Sequence, residues 1–285
     1  MKGRVATLAV ALASVLGGGA LASAARAQEA QAPALRPLCP DRPSKGTAVC
    51  TVDAGHWQIE SDILNETHDV SSGVTTDAWL ITNPTLKLGL TGALDVEANI
   101  APYVRVRTQG PAAGAVSTVS SVSSVSSVGD LYLRAKLNLA GNAGGAFGLA
   151  LEPYVKAPTA RLGVGNGAWE GGLLIPAAFA LPGGWSLGLA PEADVLANAS
   201  GSGRHLALSL PVGLGHAVGP FLGTVELWAQ EDFDPAGSTR QYSLDFAAAW
   251  VPPRTPDVQF DAGVNFGLNR ATPDAQVYVG VARRF

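Results

Sequence analysis

The sequence predicts an all-β fold, a transmembrane antiparallel up-and-down β-barrel of about twelve strands. Three observations predict this fold. Apolar and polar residues alternate along most of the chain after residue 55. The alternating segments reach about 9–14 residues, where about 9–11 tilted residues cross a bilayer. Short connections alternate with longer ones, as periplasmic turns and external loops do in outer-membrane barrels. Together these features favour a barrel over a soluble sandwich, which also alternates but has shorter strands.

The composition agrees with a membrane location. Only 15% of the 285 residues are charged, 34 are glycine and the mean hydropathy is +0.20, whereas soluble domains carry about 25% charge. After residue 27 there is no uninterrupted apolar segment of about 18 residues, so no spanning helix is predicted and a closed barrel is the way to satisfy the backbone in lipid. The net charge of −4 gives no electrostatic reason to expect a nucleic-acid partner.

The N-terminus has the pattern of a cleavable secretory signal peptide. Lys2 and Arg4 precede an apolar run, and Ala25-Arg26-Ala27 supplies the small residues of a cleavage site. A membrane anchor is less favoured because three consecutive glycines interrupt the apolar run. We therefore predict a signal peptide over residues 1–27 and export to the bacterial outer membrane.

Residues 28–54 are predicted to form a periplasmic N-terminal leader, with the barrel occupying residues 55–285. Export places the chain in an oxidising compartment, so Cys39 and Cys50, its only cysteines, are expected to pair. A metal site would need more ligands than this segment offers. The alternative is that the leader enters the barrel and plugs it.

The polar face of each alternating segment is expected to line the lumen. Residues 94–107 and 130–139 show the clearest alternation, whereas 57–65, 79–90 and 169–181 alternate more weakly. The predicted lumen-lining residues are Lys87, Asp95, Glu97, Tyr103, Arg105, Arg107, Asp130, Tyr132, Arg134, Lys136, Glu152, Tyr154, Lys156, Glu192, Asp194, Glu226, Trp228, Asp245, Asp261 and Tyr278.

The charges of this set fall into two groups. The N-terminal strands mix both signs, which favours cross-strand ion pairs that hold the wall. The later strands contribute five carboxylates and no inward lysine or arginine. The alternative interpretation is therefore a field across the lumen that disfavours anions near the acidic side. Small inward residues leave space for an open lumen, or they only allow the strands to curve.

Aromatic residues collect on the apolar face at the short-turn ends of the strands. An interfacial girdle requires this arrangement because aromatic rings favour the headgroup level. It orients the barrel with both termini on the periplasmic side. The predicted girdle consists of Trp57, Phe147, Phe179, Trp185, Phe221, Trp250, Phe260 and Phe285.

Two segments carry resemblances. The last strand ends in Val-Ala-Arg-Arg-Phe285 and resembles the signal read by the outer-membrane assembly machinery, which is thereby an expected partner beside outer-membrane lipid. The segment from Cys39-Pro40-Asp41-Arg42-Pro43 to His56-Trp57-Gln58-Ile59-Glu60 resembles the outer-membrane transporters named for the MetA pathway of phenol degradation. That resemblance implies a barrel and uptake of hydrophobic or aromatic small molecules, without a defined substrate or binding residues.

These observations predict a barrel for passive passage of small molecules, with no cofactor and no metal. One alternative is a structural or adhesive barrel with a closed lumen. A lipid hydrolase is the enzyme alternative, but the four histidines are scattered and no G-x-S-x-G elbow is present. The external loop over residues 110–128 has valine at every third position, which fits neither strand face, and we expect it to be mobile rather than folded inward.

Overall fold

The computed structural model describes residues 34–111 and 120–285. The predicted signal peptide, residues 1–27, lies outside the described residues. Cys39 and Cys50 form a disulfide, as predicted.

Twelve strands form the wall, and five of them are interrupted once. A 3₁₀ turn at Pro182–Gly184 joins the sixth strand to the seventh. The strands are β1 (Trp57–Ser71), β2 (Val74–Ile81 and Thr85–Gly89), β3 (Leu94–Asn99 and Tyr103–Pro111), β4 (Ser120–Ser127 and Leu131–Ala140), β5 (Phe147–Ala157), β6 (Glu170–Leu174 and Ala177–Ala180), β7 (Trp185–Leu189 and Glu192–Ala197), β8 (Arg204–Val218), β9 (Phe221–Asp232), β10 (Thr239–Trp250), β11 (Val258–Gly267) and β12 (Ala275–Arg284).

Every strand pairs antiparallel with its neighbours in sequence, and the sheet closes on itself. Closure occurs between β1 and β12, where Gln58 pairs with Arg284 and His68 with Ala275. The closed antiparallel barrel of twelve strands confirms the predicted fold class. Among the described residues, no helix is long and apolar enough to span a membrane.

The distribution of burial is the reverse of that in a soluble protein. Lys136 and Asp95 are 0% and 1% exposed, whereas Leu227 and Val277 are 55% and 52% exposed. Soluble proteins almost never bury lysine or aspartate completely unless it is paired, and they place large apolar side chains inside. An apolar outer surface around a polar interior is the arrangement of a transmembrane barrel.

The inward face changes parity part of the way along β1 and β3. Asp62 is buried, but a bulge follows it and Asn65 becomes the residue opposite the buried Tyr278. In β3, Asn99 is buried before the interruption and Val104 is buried after it, so the buried positions change from odd to even residue numbers. A one-residue slip exchanges the two faces of a strand.

This slip makes part of the predicted lumen lining wrong. Tyr103, Arg105 and Arg107 were expected inside, but Tyr103 is 44% exposed while the adjacent Val104 is 8% exposed. Arg105 and Arg107 share the parity of Tyr103, so all three lie on the outer side of the wall, above the slip. Strict alternation fails at the break over residues 100–102, which Pro102 marks because proline cannot donate a ladder hydrogen bond.

The expectation for the external loop also needs correction. The segment Ser120–Ser127 is a strand that pairs with Tyr103–Pro111, and Val125 lies opposite Val106. The threefold spacing of the valines does not prevent a strand here, because the backbone pairs with Tyr103–Pro111 along the whole segment.

Candidate functional site

Most of the predicted lumen-lining residues lie on the inner face of the wall. Asp130, Tyr132, Arg134, Tyr154, Glu192 and Trp228 are half-buried there. The fully buried members are Lys87, Asp95, Glu97, Lys136, Glu152, Lys156, Asp194, Glu226, Asp245, Asp261 and Tyr278. The interior is therefore a polar surface built from nearly every strand.

The N-terminal segment makes direct contacts with this surface. Asn138 Nδ2 donates to the carbonyl oxygen of Val49 at 2.7 Å, and the N–H of Val52 donates to Asp95 at 2.8 Å. Residues 41–49, called the plug from here on, thus lie against the lumen wall rather than outside the barrel. This position corresponds to the alternative in which the leader enters the barrel.

Arg42 joins two strands across the closing seam of the barrel. Its guanidinium is 2.7 Å from Asp62 on β1 and 2.8 Å from Asp261 on β11. Gly280 on β12 pairs with both of these aspartates, so it lies between them in the sheet. A Cβ atom at Gly280 would collide with the guanidinium, because Arg42 lies directly over this glycine.

Lys45 extends the plug along the acidic wall. Its ammonium is 3.0 Å from Asp245 and 4.4 Å from the ring centroid of Trp228. The backbone N–H groups of Lys45 and Gly46 both donate to the carboxylate of Glu226, at 2.9 Å and 3.2 Å. The side-chain ammonium and the backbone N–H groups of the plug therefore both bind carboxylates of the acidic wall.

Asp41 is the anion of the plug, and it contacts lysines of the wall instead of carboxylates. Its carboxylate bonds the ammonium of Lys136 at 2.5 Å and also that of Lys87. Burial alone would raise the pKa of Asp41, but attraction to Lys136 and Lys87 outweighs it and holds the pKa well below its ordinary value. The pKa of Arg42 is raised, since its bonds to Asp261 and Asp62 outweigh the effect of burial.

The plug is thus complementary in charge to both sides of the lumen. Its anion meets the lysines of β2 and β4, and its cations meet the carboxylates of β1, β10 and β11. The acidic wall is therefore partly neutralised. Glu192 and Asp194 have other partners: Ser209 donates to Glu192 at 3.3 Å and Tyr154 donates to Asp194 at 2.6 Å.

Three cavities adjoin the plug. One, of about 190 Å³, lies between residues 40–49 and the inner faces of β6 to β9. The other two are polar. The larger, of about 240 Å³, is lined by plug residues 41–47 together with polar residues of β2 to β5, including Asn83, Asn99 and Arg134. The smaller, of about 160 Å³, lies between residues 42–45 and the inner faces of β1, β11 and β12. Both are lined mainly by hydrogen-bonding side chains.

One cluster of three carboxylates has the spacing of metal ligands, but a lysine already neutralises part of its charge. Asp41, Glu97 and Glu152 place oxygens within 4.8 Å of one another. The ammonium of Lys136 is 2.5 Å, 3.6 Å and 3.2 Å from these three carboxylates. A lysine therefore supplies the positive charge that a cation would bring.

The residues predicted as a girdle lie on the outer face at the ends that carry the short turns. Phe147 packs against Phe179, with centroids 5.2 Å apart, and Trp250 stacks between Phe221 and Phe260 at 6.2 Å and 5.8 Å. Phe285 is 59% exposed at the last position of the chain.

Sequence reasoning missed the plug residues and the lumen amides. Asp41, Arg42 and Lys45 lie in a proline-containing segment without strand periodicity, so their partners were not evident. The charges of these three residues are opposite in sign to those of the wall residues that they contact. This charge complementarity was the signal in the sequence that could have predicted the contacts. The amides left out of the predicted lining are Asn65, Asn83, Asn99, Asn265 and Gln276. The bulge in β1 turns Asn65 inward. Asn99, Asn265 and Gln276 share the inward parity of their strands, so alternation was the signal that could have found them.

A closed antiparallel wall with lipid-facing apolar residues and a polar lumen defines an outer-membrane β-barrel. The chain belongs to the family described as "Putative MetA-pathway of phenol degradation", whose model matches residues 40–285. This membership bears out the resemblance seen in the sequence.

One solved structure supports the fold, and others are similar at lower TM-scores. An outer-membrane channel from Pseudomonas putida F1 is similar with a TM-score of 0.62 and 15% identity, over 86% of this chain and 99% of the channel. The CymD monoaromatic hydrocarbon channel has a TM-score of 0.41 and 9% identity, over 82% of this chain and 88% of the CymD chain. The β domain of the Bordetella autotransporter BrkA has a TM-score of 0.47 and 14% identity, over 82% of this chain and 100% of the β domain. No curated protein matches the chain.

Proposed function

We propose that the protein is a passive channel for small molecules, including hydrophobic or aromatic ones, across the bacterial outer membrane. The observation that carries the proposal is the polar lumen with three cavities beside a plug that is held by side-chain contacts. Among the described residues, no hydrogen bond between two backbone groups joins residues 41–49 to a wall strand. The plug can therefore shift without unpairing the sheet.

The inward aromatic rings support aromatic solutes. Tyr132 and Tyr154 have centroids 6.0 Å apart, and the guanidinium of Arg134 lies 5.1 Å and 5.9 Å from them. Rings and a cation at such distances offer stacking surfaces to a flat solute. The phenol-degradation description of the family agrees with this solute class.

Export, assembly and the lack of catalysis belong to the same proposal. Residues 1–27 act as a cleavable signal peptide, and Phe285 is read by the assembly machinery in the outer membrane. The role is non-catalytic. His205 contacts Asn198 at 2.9 Å and Asp232 at 2.9 Å, and both contacts fit a residue that fixes the external end of the lumen.

A second candidate is a structural barrel with a permanently closed lumen. The contacts of Asp41, Arg42 and Lys45 favour it, because buried charge pairs with good geometry resist separation. Conductance decides between the two candidates.

The test is planar-bilayer conductance of the refolded mature chain, with liposome swelling in small sugars and in phenolics. The channel proposal expects discrete conductance steps and swelling that depends on solute size. A chain that inserts into vesicles but gives neither would favour the closed barrel. Lipase activity that persists in the purified chain and is lost on replacing a histidine would overturn the non-catalytic role.

A further inference from the structure

A row of side-chain amides crosses the lumen wall above the plug. Asn265 donates to Gln276 at 2.8 Å, and Gln276 donates to Asn65 at 2.9 Å. Asn65 and Asn83 both donate to Asp62, at 3.3 Å and 3.4 Å. Asn99 completes the row with a bond of 3.0 Å to Asn83. These five amides, from β11, β12, β1, β2 and β3, are called the amide belt.

The belt faces both polar cavities. Asn265, Gln276 and Asn65 line the smaller cavity, and Asn83 and Asn99 line the larger one. Asp62, the single carboxylate in the row, is bound by Arg42 of the plug at 2.7 Å. The belt therefore presents neutral donors and acceptors to the space above the plug.

The belt retains unused hydrogen-bonding capacity. A primary amide has two donors and an oxygen that accepts two bonds. Within the described part of the chain, the Oδ1 atom of Asn265 is buried and has no partner, although the residue is only 5% exposed. A buried acceptor without a partner is costly, so a ligand hydroxyl there would be favourable.

We propose that the amide belt is a binding site for uncharged, polyhydroxylated solutes of about monosaccharide size. A hydroxyl group both donates and accepts, and each amide offers both functions within one side chain. The neighbouring charges are paired with one another, so neither a free cation nor a free anion meets an unpaired counter-charge at the belt. The buried ring of Tyr278 gives the smaller cavity an apolar face for the carbon skeleton of such a solute.

This inference deepens the proposed function, since it names a solute class for the same lumen. Its test uses binding, so that it can fail independently of conduction. Equilibrium dialysis of labelled glucose is measured with the full mature chain in detergent, and toluene partitioning is measured beside it. The double variant Asn265→Leu/Gln276→Leu removes two belt amides. Gln230→Leu is the matched control, an amide of β9 outside the belt.

We expect saturable glucose binding in the wild type, a loss of at least about tenfold in the double variant and no change in the control, since each removed amide leaves the solute hydroxyl that it bound without a partner. The single variant Asn99→Ala, at the other end of the belt, weakens binding less and serves if the double variant does not refold. Glucose that fails to bind the wild type, or binds all variants equally, overturns the site even if bilayer conductance is normal.

Discussion

The guanidinium of Arg42 lies 2.8 Å from the carboxylate of Asp261, across 219 residues of sequence. This contact links the plug to the wall at a point where the wall closes. Several properties of the lumen depend on it.

Removing the charge of Arg42 is expected to loosen the plug. Arg42→Gln leaves Asp62 and Asp261 buried without their cation, and breaking a buried pair costs about 3–5 kcal/mol. We expect more frequent or larger conductance steps and faster proteolysis between residues 41 and 49. Arg240→Gln is the control, because its pair with Glu231 is on the surface. Equal conductance in wild type and Arg42→Gln would contradict the role of the contact.

A side chain at Gly280 should reproduce the effect without touching any charge. Gly280→Val places carbon atoms where the guanidinium of Arg42 lies, so the arginine must leave its two aspartates. We expect the conductance of Gly280→Val to match that of Arg42→Gln. Gly223→Val is the control, since a Cβ atom there meets nothing within 4 Å. The steric argument would be refuted if Gly280→Val kept the conductance of the wild type while its heat-modifiable electrophoretic mobility showed that it had folded.

Docking of the plug should resist mild acid and weaken in strong acid. The lowered pKa of Asp41 means that its ion pairs are fully present above the ordinary value of 3.8 and are lost as the pH falls through the lower folded value. We expect conductance to be constant down to about pH 4 and to rise only below it. Asp41→Asn should show the open behaviour already at neutral pH. A transition near neutrality in the wild type would show that another group controls the plug.

The predictability of this molecule from its sequence differs between parts of the wall. Along β8 to β12 the alternation is unbroken, and the carboxylates Glu226, Asp245 and Asp261 are buried in their strands. In β1 and β3 a bulge and an interruption reverse the faces. Pro102 marks the interruption in β3, because proline cannot donate a ladder hydrogen bond, whereas no proline or glycine marks the bulge after Asp62. The plug was unpredictable for another reason, because its order comes from partners on distant strands.

The corrected faces of β3 can be tested directly. Tyr103 lies on the outer face and Val104 on the inner one. A nitroxide on Tyr103→Cys should be accessible to oxygen from the lipid or interface side, whereas one on Val104→Cys should be shielded from it. Phe147→Cys, on the outer face, provides a lipid-exposed reference. The opposite order of accessibility would restore unbroken alternation.

The ions that pass should be mainly cations. Glu192 and Asp194 face the lumen beyond the reach of the plug cations, next to Ser209 and Tyr154. Such carboxylates attract cations and repel anions. Reversal potentials in a salt gradient should show cation preference, reduced in Glu192→Gln/Asp194→Asn. Anion preference in the wild type would rule out the acidic wall as the selective element.

The position of Arg42 bears on the order in which the barrel is assembled. Its two aspartates belong to β1 and β11, and the glycine beneath it belongs to β12, the strand that arrives last. The guanidinium can gain its second partner only when the C-terminal hairpin reaches the first strand. The two contacts of Arg42 are therefore complete only in the closed barrel, so the closed seam itself helps to hold the N-terminal segment inside.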